Sequence, residues 1–171
     1  MEMRPKIYLY TDGAASGNPG PGGWAAILKC GSLSKEMSGG FAHTTNNRME
    51  LLAVIKGLQA IKWENADVEV WSDSQYVVKA ITEGWLENWV LKNWKKVKNP
   101  DLWQEFLPLY KAHNVVFHWL KGHAGHPENE RCDKLAVAAC SQPGLPQDKG
   151  YIEENTSTEQ TLFQICRKTN S

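Results

Sequence analysis

Lys6-Ile7-Tyr8-Leu9-Tyr10-Thr11-Asp12-Gly13 is the stretch that decides the fold. Ile7 to Tyr10 is a short apolar run rich in β-forming residues, and it reads as a central strand. The strand is expected to stop on Asp12, because Gly13-Ala14-Ala15-Ser16-Gly17-Asn18-Pro19-Gly20-Pro21-Gly22-Gly23 reads as neither helix nor strand. A carboxylate carried to the end of a buried strand sits at the rim of a sheet. A charge there is costly unless it is paired, hydrogen-bonded or bound to a metal. An isolated Asp-Gly is an ordinary turn, so the question is whether other carboxylates reach the same rim.

Working outward, Gly23 to Cys30 and Gly31 to Phe41 read as two further strands joined by a hairpin. No helix fits between the first strand and the second, so the three form an antiparallel meander. Thr44-Thr45-Asn46-Asn47 supplies N-cap candidates for a long helix reaching about Trp63, with Leu51, Val54, Ile55, Leu58 and Ile61 as its inner stripe. Val68 to Ser72 is a compact strand ending on Asp73, followed by a helix from Ser74 to Thr82. Asp101 to Lys111 reads as helix and Val115 to Leu120 as the fifth strand. Lys121 to His126 is a loop before a last helix from Pro127 to Cys140. Strands returning through helices mark an α/β domain. Residues 1–141 hold the folded domain in this reading, the one that would carry any chemistry. Residues 142–171, which open with Pro143, Gly144 and Pro146, are a surface strap and a polar, mobile end anchored by Leu162, Phe163 and Ile165.

Composition narrows the class. The 171 residues carry no net formal charge, so no global field draws the chain to nucleic acid. Residues 1–141 nevertheless hold 16 Lys and Arg against 15 Asp and Glu. If four of those acids carry metal, the remaining surface is basic by about five charges, a modest bias toward phosphate. The four cysteines, at 30, 132, 140 and 166, form no Cys-x-x-Cys pair. Cys132 and Cys140 lie roughly 12 Å apart along one helix, too far to bridge. Free thiols fit a reducing compartment. With no signal sequence at Met1-Glu2-Met3-Arg4-Pro5-Lys6 and no bilayer-length apolar run, the expectation is a cytoplasmic protein without a membrane partner. No long heptad pattern is present, so a monomer is expected.

Four acids converge. Asp12 and Asp73 end neighbouring strands, where functional sites gather in open α/β sheets. Glu50 lies in the first turns of the long helix, beside its apolar stripe. Asp133 falls on the helical stripe 133, 136, 137, 140 and so faces inward. Each has an ordinary alternative: a helix-start charge for Glu50, an N-cap for Asp73, a pair with Arg131 or Lys134 for Asp133. Four such accidents at one edge of the core are a poorer account than one shared site. Clustered carboxylates repel each other, and a divalent cation relieves that repulsion. Oxygen ligands select a hard ion, Mg²⁺ or Mn²⁺. Two such ions about 4 Å apart clamp the attacking and leaving oxygens in displacement at phosphorus, so the acids point to phosphodiester chemistry.

Asn18, Asn46, Asn47 and Gln75 lie within a few residues of these acids and suit a sugar 2′-hydroxyl, although such residues also cap and turn chains. Trp85, Trp89, Trp94 and Trp103 interleave with Lys92, Lys95, Lys96 and Lys98. That pattern fits a nucleic-acid-binding ridge or a tryptophan face packed on the core. His123 sits on a glycine-flanked loop and could move protons. His123, His126 and Cys132 are also a conceivable zinc set, with no fourth ligand nearby.

Tyr10-Thr11-Asp12-Gly13 with Gly17-Asn18-Pro19-Gly20-Pro21-Gly22-Gly23, then Thr44 to Leu51, Ser72-Asp73-Ser74-Gln75-Tyr76-Val77, and Lys121 to Asp133, resemble ribonuclease H type 1 in its bacterial form. The likeness runs from about Lys6 to Tyr151. It implies a ribonuclease H-like, mixed five-stranded sheet, three strands antiparallel and then two parallel, with helices on its faces. It implies an endonuclease that cuts the RNA strand of RNA–DNA hybrids with two metal ions, leaving 5′-phosphate and 3′-hydroxyl ends. By position, Asp12, Glu50, Asp73 and Asp133 would hold the metals and His123 would be the mobile catalytic histidine. Asn18, Asn46 and Gln75 would touch the RNA, Thr45 a DNA phosphate, and Asn47 the DNA strand. The Trp85–Trp103 segment is shorter and less basic than the protruding arm of some members, with Glu83 and Glu87 at its start. Two rivals are an integrase- or resolvase-like nuclease of the same fold, which the Asn/Gln set disfavours, and a catalytically silent hybrid-binding module, which the four intact acids disfavour.

Overall fold

β1 (Lys6–Ala15) is the centre of a five-stranded sheet of order β3-β2-β1-β4-β5. It pairs antiparallel with β2 (Gly20–Cys30), and β2 pairs antiparallel with β3 (Leu33–Thr44). On its other side it runs parallel with β4 (Asp67–Ser72), and β4 runs parallel with β5 (Asn114–Trp119). The helices are α1 (Asn46–Gln59), α2 (Gln75–Thr82), α3 (Trp85–Leu91), α4 (Pro100–Ala112) and α5 (Pro127–Cys140), and residues 149–155 are also helical. This computed structural model describes residues 4–122 and 125–155. The expected mixed α/β sheet, three antiparallel strands and then two parallel, is the one observed.

Alternation along β1 sets the two faces. Ile7 and Leu9, with Val68 and Val70 of β4, are buried in the main core with α1. Tyr10 belongs to the opposite face, where Ala25 and Ile27 meet Cys132 and Ala136 of α5. Full burial of a side chain such as Leu9 contributes about 2 kcal/mol. α1 is buried nearly all round, well beyond its five-residue stripe, because α4 packs on the side away from the sheet.

Sequence expectations fail at three places, each time because tertiary contact overrides a local signal. β1 does not end at Asp12: it continues to Ala15, and β2 begins at Gly20, so most of the glycine-rich stretch is strand. Small residues are needed there for close approach. A Cβ on Gly13 would meet α1 backbone at Met49 and Glu50, and one on Gly23 would meet Ala136 of α5. α1 stops at Gln59, short of Trp63. Ile61 still packs on the core from the following turn, which extends the apparent stripe. On α5 the inward residues are Asn129, Cys132, Ala136 and Ala139. Val137 is 47% exposed, and Asp133 lies half-buried at the edge of that face. The Trp/Lys-rich segment is a short helix, Trp85–Leu91, followed over residues 92–99 by irregular turns in which Asn93, Trp94, Lys96 and Asn99 take left-handed backbone.

One polar cluster was unforeseen. Arg48, in the first turn of α1, is fully buried. It donates to Asp101 at 2.9 and 2.7 Å and to Asp148 at 2.7 and 3.0 Å. Thr44 Oγ1 also donates to Asp148, at 2.6 Å. Burial opposes the Arg48 charge, but the two carboxylates outweigh it and raise the guanidinium pKa. Asp148 thereby ties the segment after α5 to the start of α1.

Candidate active site

The last parallel register pair between β1 and β4 is Tyr10 with Trp71. Beyond it both strands continue but part, β1 staying with β2 and β4 with β5. Asp12 and Asp73 each lie two residues past that pair, at the mouth of the gap. The missing side chain at Gly13 lets α1 approach β1 and brings Glu50 to the same place. Asp12, Glu50 and Asp73 each offer a carboxylate oxygen, and the three oxygens all lie within 4.8 Å of one another.

Electrostatics make this a strained set without a cation. Burial, then the charge of Asp73, pushes the Asp12 carboxyl from 3.8 to about 8, against the pull of the Gly13 N–H, which donates to Oδ1 at 2.9 Å. Burial, then the charges of Asp12 and Asp73, raises Glu50 well above the usual carboxylate range. Asp12 Oδ2 and Glu50 Oε2 are shielded from solvent and have no hydrogen-bond partner among the described residues. Glu50 as a residue is only half-buried, but that oxygen is fully shielded. Described arginine and lysine partners go elsewhere: Arg131 to Glu36, Arg48 to Asp101 and Asp148, Lys29 to Glu128. An all-oxygen donor set with shielded, unbonded oxygens fits a hard divalent cation. Asp133 stands near the triad, and its charge helps to raise Asp12. Asp73 is not the N-cap of α2. That role belongs to Ser74, whose hydroxyl accepts from Val77 N at 3.3 Å.

The amide residues divide. Asn18, at the β1–β2 turn, accepts from Asn46 N at 3.2 Å through Oδ1, so these two meet. Thr45 caps α1 by accepting from Arg48 N at 3.3 Å, while Asn46 and Asn47 are exposed in its first turn. Gln75 is exposed at the start of α2, two residues from Asp73. Of the tryptophans, Trp103 is wholly core and Trp89 and Trp94 pack against it, whereas Trp85 is 38% exposed. Lys92, Lys95, Lys96 and Lys98 are all exposed. His123 lies outside the described residues. Cys132 is buried with its thiol on Tyr10 O at 3.4 Å, while His126 is exposed; the expected zinc set includes His123 and so falls partly outside the described residues.

The chain matches the family described as RNase H over residues 4–141. The chain belongs to the ribonuclease H family. A ribonuclease H of Desulforamulus reducens is 56% identical over 148 residues, 84% of this chain and 92% of that one. LC9-RNase H1, described as a type 1 RNase H with the type 2 active-site motif, superposes with a TM-score of 0.76 at 32% identity, covering 86% of this chain and 77% of that one. LC11-RNase H1, solved in complex with an RNA/DNA hybrid, gives a TM-score of 0.57 at 28% identity over 78% of this chain and 96% of that one. Within this ribonuclease H frame, two contacts near the acids escaped the sequence reading. Asn129 and Cys132 of α5 reach β4 and β1 respectively, and no local sequence pattern signals partners 58 and 122 residues away.

Proposed function

We propose that this ribonuclease H hydrolyses the RNA strand of RNA–DNA hybrids by a two-metal mechanism, leaving 5′-phosphate and 3′-hydroxyl ends. The observation that carries it is the carboxylate triad at the β1/β4 gap. Asp12, Glu50, Asp73 and Asp133 would hold the ions, Mg²⁺ with Mn²⁺ as substitute. Bound there, the ions supply Lewis-acid stabilisation of charge on the attacking and leaving oxygens. The chain's own part is to hold negative oxygens in a shielded cleft and present the hybrid to it. Asn18, Asn46 and Gln75 suit the 2′-hydroxyls of the RNA. Thr45 and Asn47 suit the DNA strand, and Trp85 with the exposed lysines suits the sugar-phosphate path further out. His123, between Gly122 and Gly125, both in left-handed backbone, would carry protons to or from the product side.

No described helix is long and apolar enough to cross a membrane, and we place the enzyme in the cytoplasm as a monomer. We assign catalysis to residues 1–141, with 142–171 as an appended segment. The test is cleavage of labelled RNA–DNA hybrid, duplex DNA and duplex RNA, each with Mg²⁺ or with chelator. Cutting of the RNA in the hybrid alone, and only with metal, is expected. Cutting of duplex DNA would favour an integrase-like nuclease, and tight binding without cutting would favour a silent module.

A further inference from the structure

Two side chains of α5 reach the carbonyls of the register pair at which β1 and β4 part. Asn129 Nδ2 donates to Trp71 O at 3.3 Å, and Cys132 Sγ donates to Tyr10 O at 3.4 Å. Tyr10 and Trp71 are partners across the strands, and each precedes a site acid, Asp12 or Asp73, by two residues. Asn129 and Cys132 are three residues apart, one helical turn, so they share a face. Asp133 follows on the same helix and stands beside Asp12. One rigid element therefore fastens both strands at the splay point and carries the fourth acid.

We infer that Asn129 and Cys132 are positioning residues that set the spacing of Asp12, Asp73 and Asp133 for cation binding. A parallel pair that is about to part has carbonyls that lose their ladder partners, and donors from a covering helix can satisfy them. Asn129 is 2% exposed, and its Oδ1 is buried with no partner among the described residues. An amide chosen only for stability would not leave that acceptor unbonded, since the loss costs about as much as the donated bond gains. An apolar side chain of the same size would serve packing equally well.

The inference rests on the proposed metal site, and its test separates the two. Mn²⁺ alone is titrated calorimetrically into wild type, Asp12→Asn, Asn129→Leu, Cys132→Val and Cys132→Ser, with melting temperature and the hybrid KM measured in parallel. Asn129→Leu keeps volume and removes both the bond and the orphan acceptor. It should melt at or above the wild-type temperature yet bind Mn²⁺ about 10-fold more weakly, the usual scale for groups that orient metal ligands. The hybrid KM at saturating metal should stay within about twofold. Cys132→Val should weaken Mn²⁺ binding, and Cys132→Ser, which restores a donor, should recover it. If Asn129→Leu does not fold, Asn129→Ala takes its place, because a methyl group likewise offers no donor to Trp71 O. Unchanged Mn²⁺ affinity in the Asn129 and Cys132 variants, with wild type binding and Asp12→Asn not, would overturn the positioning role alone. No binding to wild type would overturn the metal site itself.

Discussion

Replacing Asp12 with asparagine should abolish cleavage and at the same time stabilise the metal-free protein. The carboxyl is raised from 3.8 to about 8, first by burial and then by Asp73. Between those two values the folded state binds more protons than the unfolded chain. Stability of the apoprotein therefore falls as pH climbs from about 4 to about 8 and levels off above that. The full cost of the ionised group at high pH is about 6 kcal/mol, and about 4 kcal/mol of it applies at pH 7. Asparagine escapes the charge, but it stays a buried polar group and accepts a weaker hydrogen bond from Gly13, a loss of about 1 kcal/mol. A net gain of about 2–3 kcal/mol at pH 7 corresponds to roughly 5–10 °C for a domain of this size. Thermal unfolding followed by circular dichroism in chelator, at acid, neutral and alkaline pH, measures it. The variant's advantage should widen as pH rises and shrink when Mg²⁺ is added, since only wild type binds the ion well. A variant less stable than wild type at alkaline pH, or an advantage that ignores pH, would refute the electrostatic reading of the cluster.

Asp148→Ala leaves Arg48 buried with only the more exposed Asp101 as a charged partner, and should cost about 3 kcal/mol in urea unfolding. Gly13→Ala drives a methyl group into α1 backbone at Met49 and Glu50. It should destabilise by about 2 kcal/mol or more and lower kcat roughly 100-fold through displacement of Glu50, both readable from urea melts and steady-state kinetics. His123→Ala should slow turnover by about 100-fold or more with Mn²⁺ affinity unchanged. A lost affinity would make that histidine a ligand.

The order of strands and helices was legible because β1, β4 and α1 carry strong periodicity with clear caps, Thr45 and Ser74 among them. The three triad acids were legible because each adjoins a local signal: Gly13 after Asp12, Ser74 after Asp73, and the Thr45 cap of the helix that carries Glu50. What stayed hidden depends on partners far along the chain. Nothing local in Arg48 announces that it is buried, since Asp101 and Asp148 lie 53 and 100 residues away. The glycine-rich stretch was misread because its small residues answer to helices packed on both faces, not to turn chemistry. The α5 face was misjudged by one position because Cys132, not Asp133, is the residue that enters the core.

Diffraction at the manganese absorption edge from crystals grown with Mn²⁺ and an RNA–DNA hybrid tests the central claim most directly. The account predicts anomalous peaks among the carboxylates of Asp12, Glu50 and Asp73, against a phosphate of the RNA strand. Peaks elsewhere, or a hybrid bound with no ion between those oxygens, would contradict it.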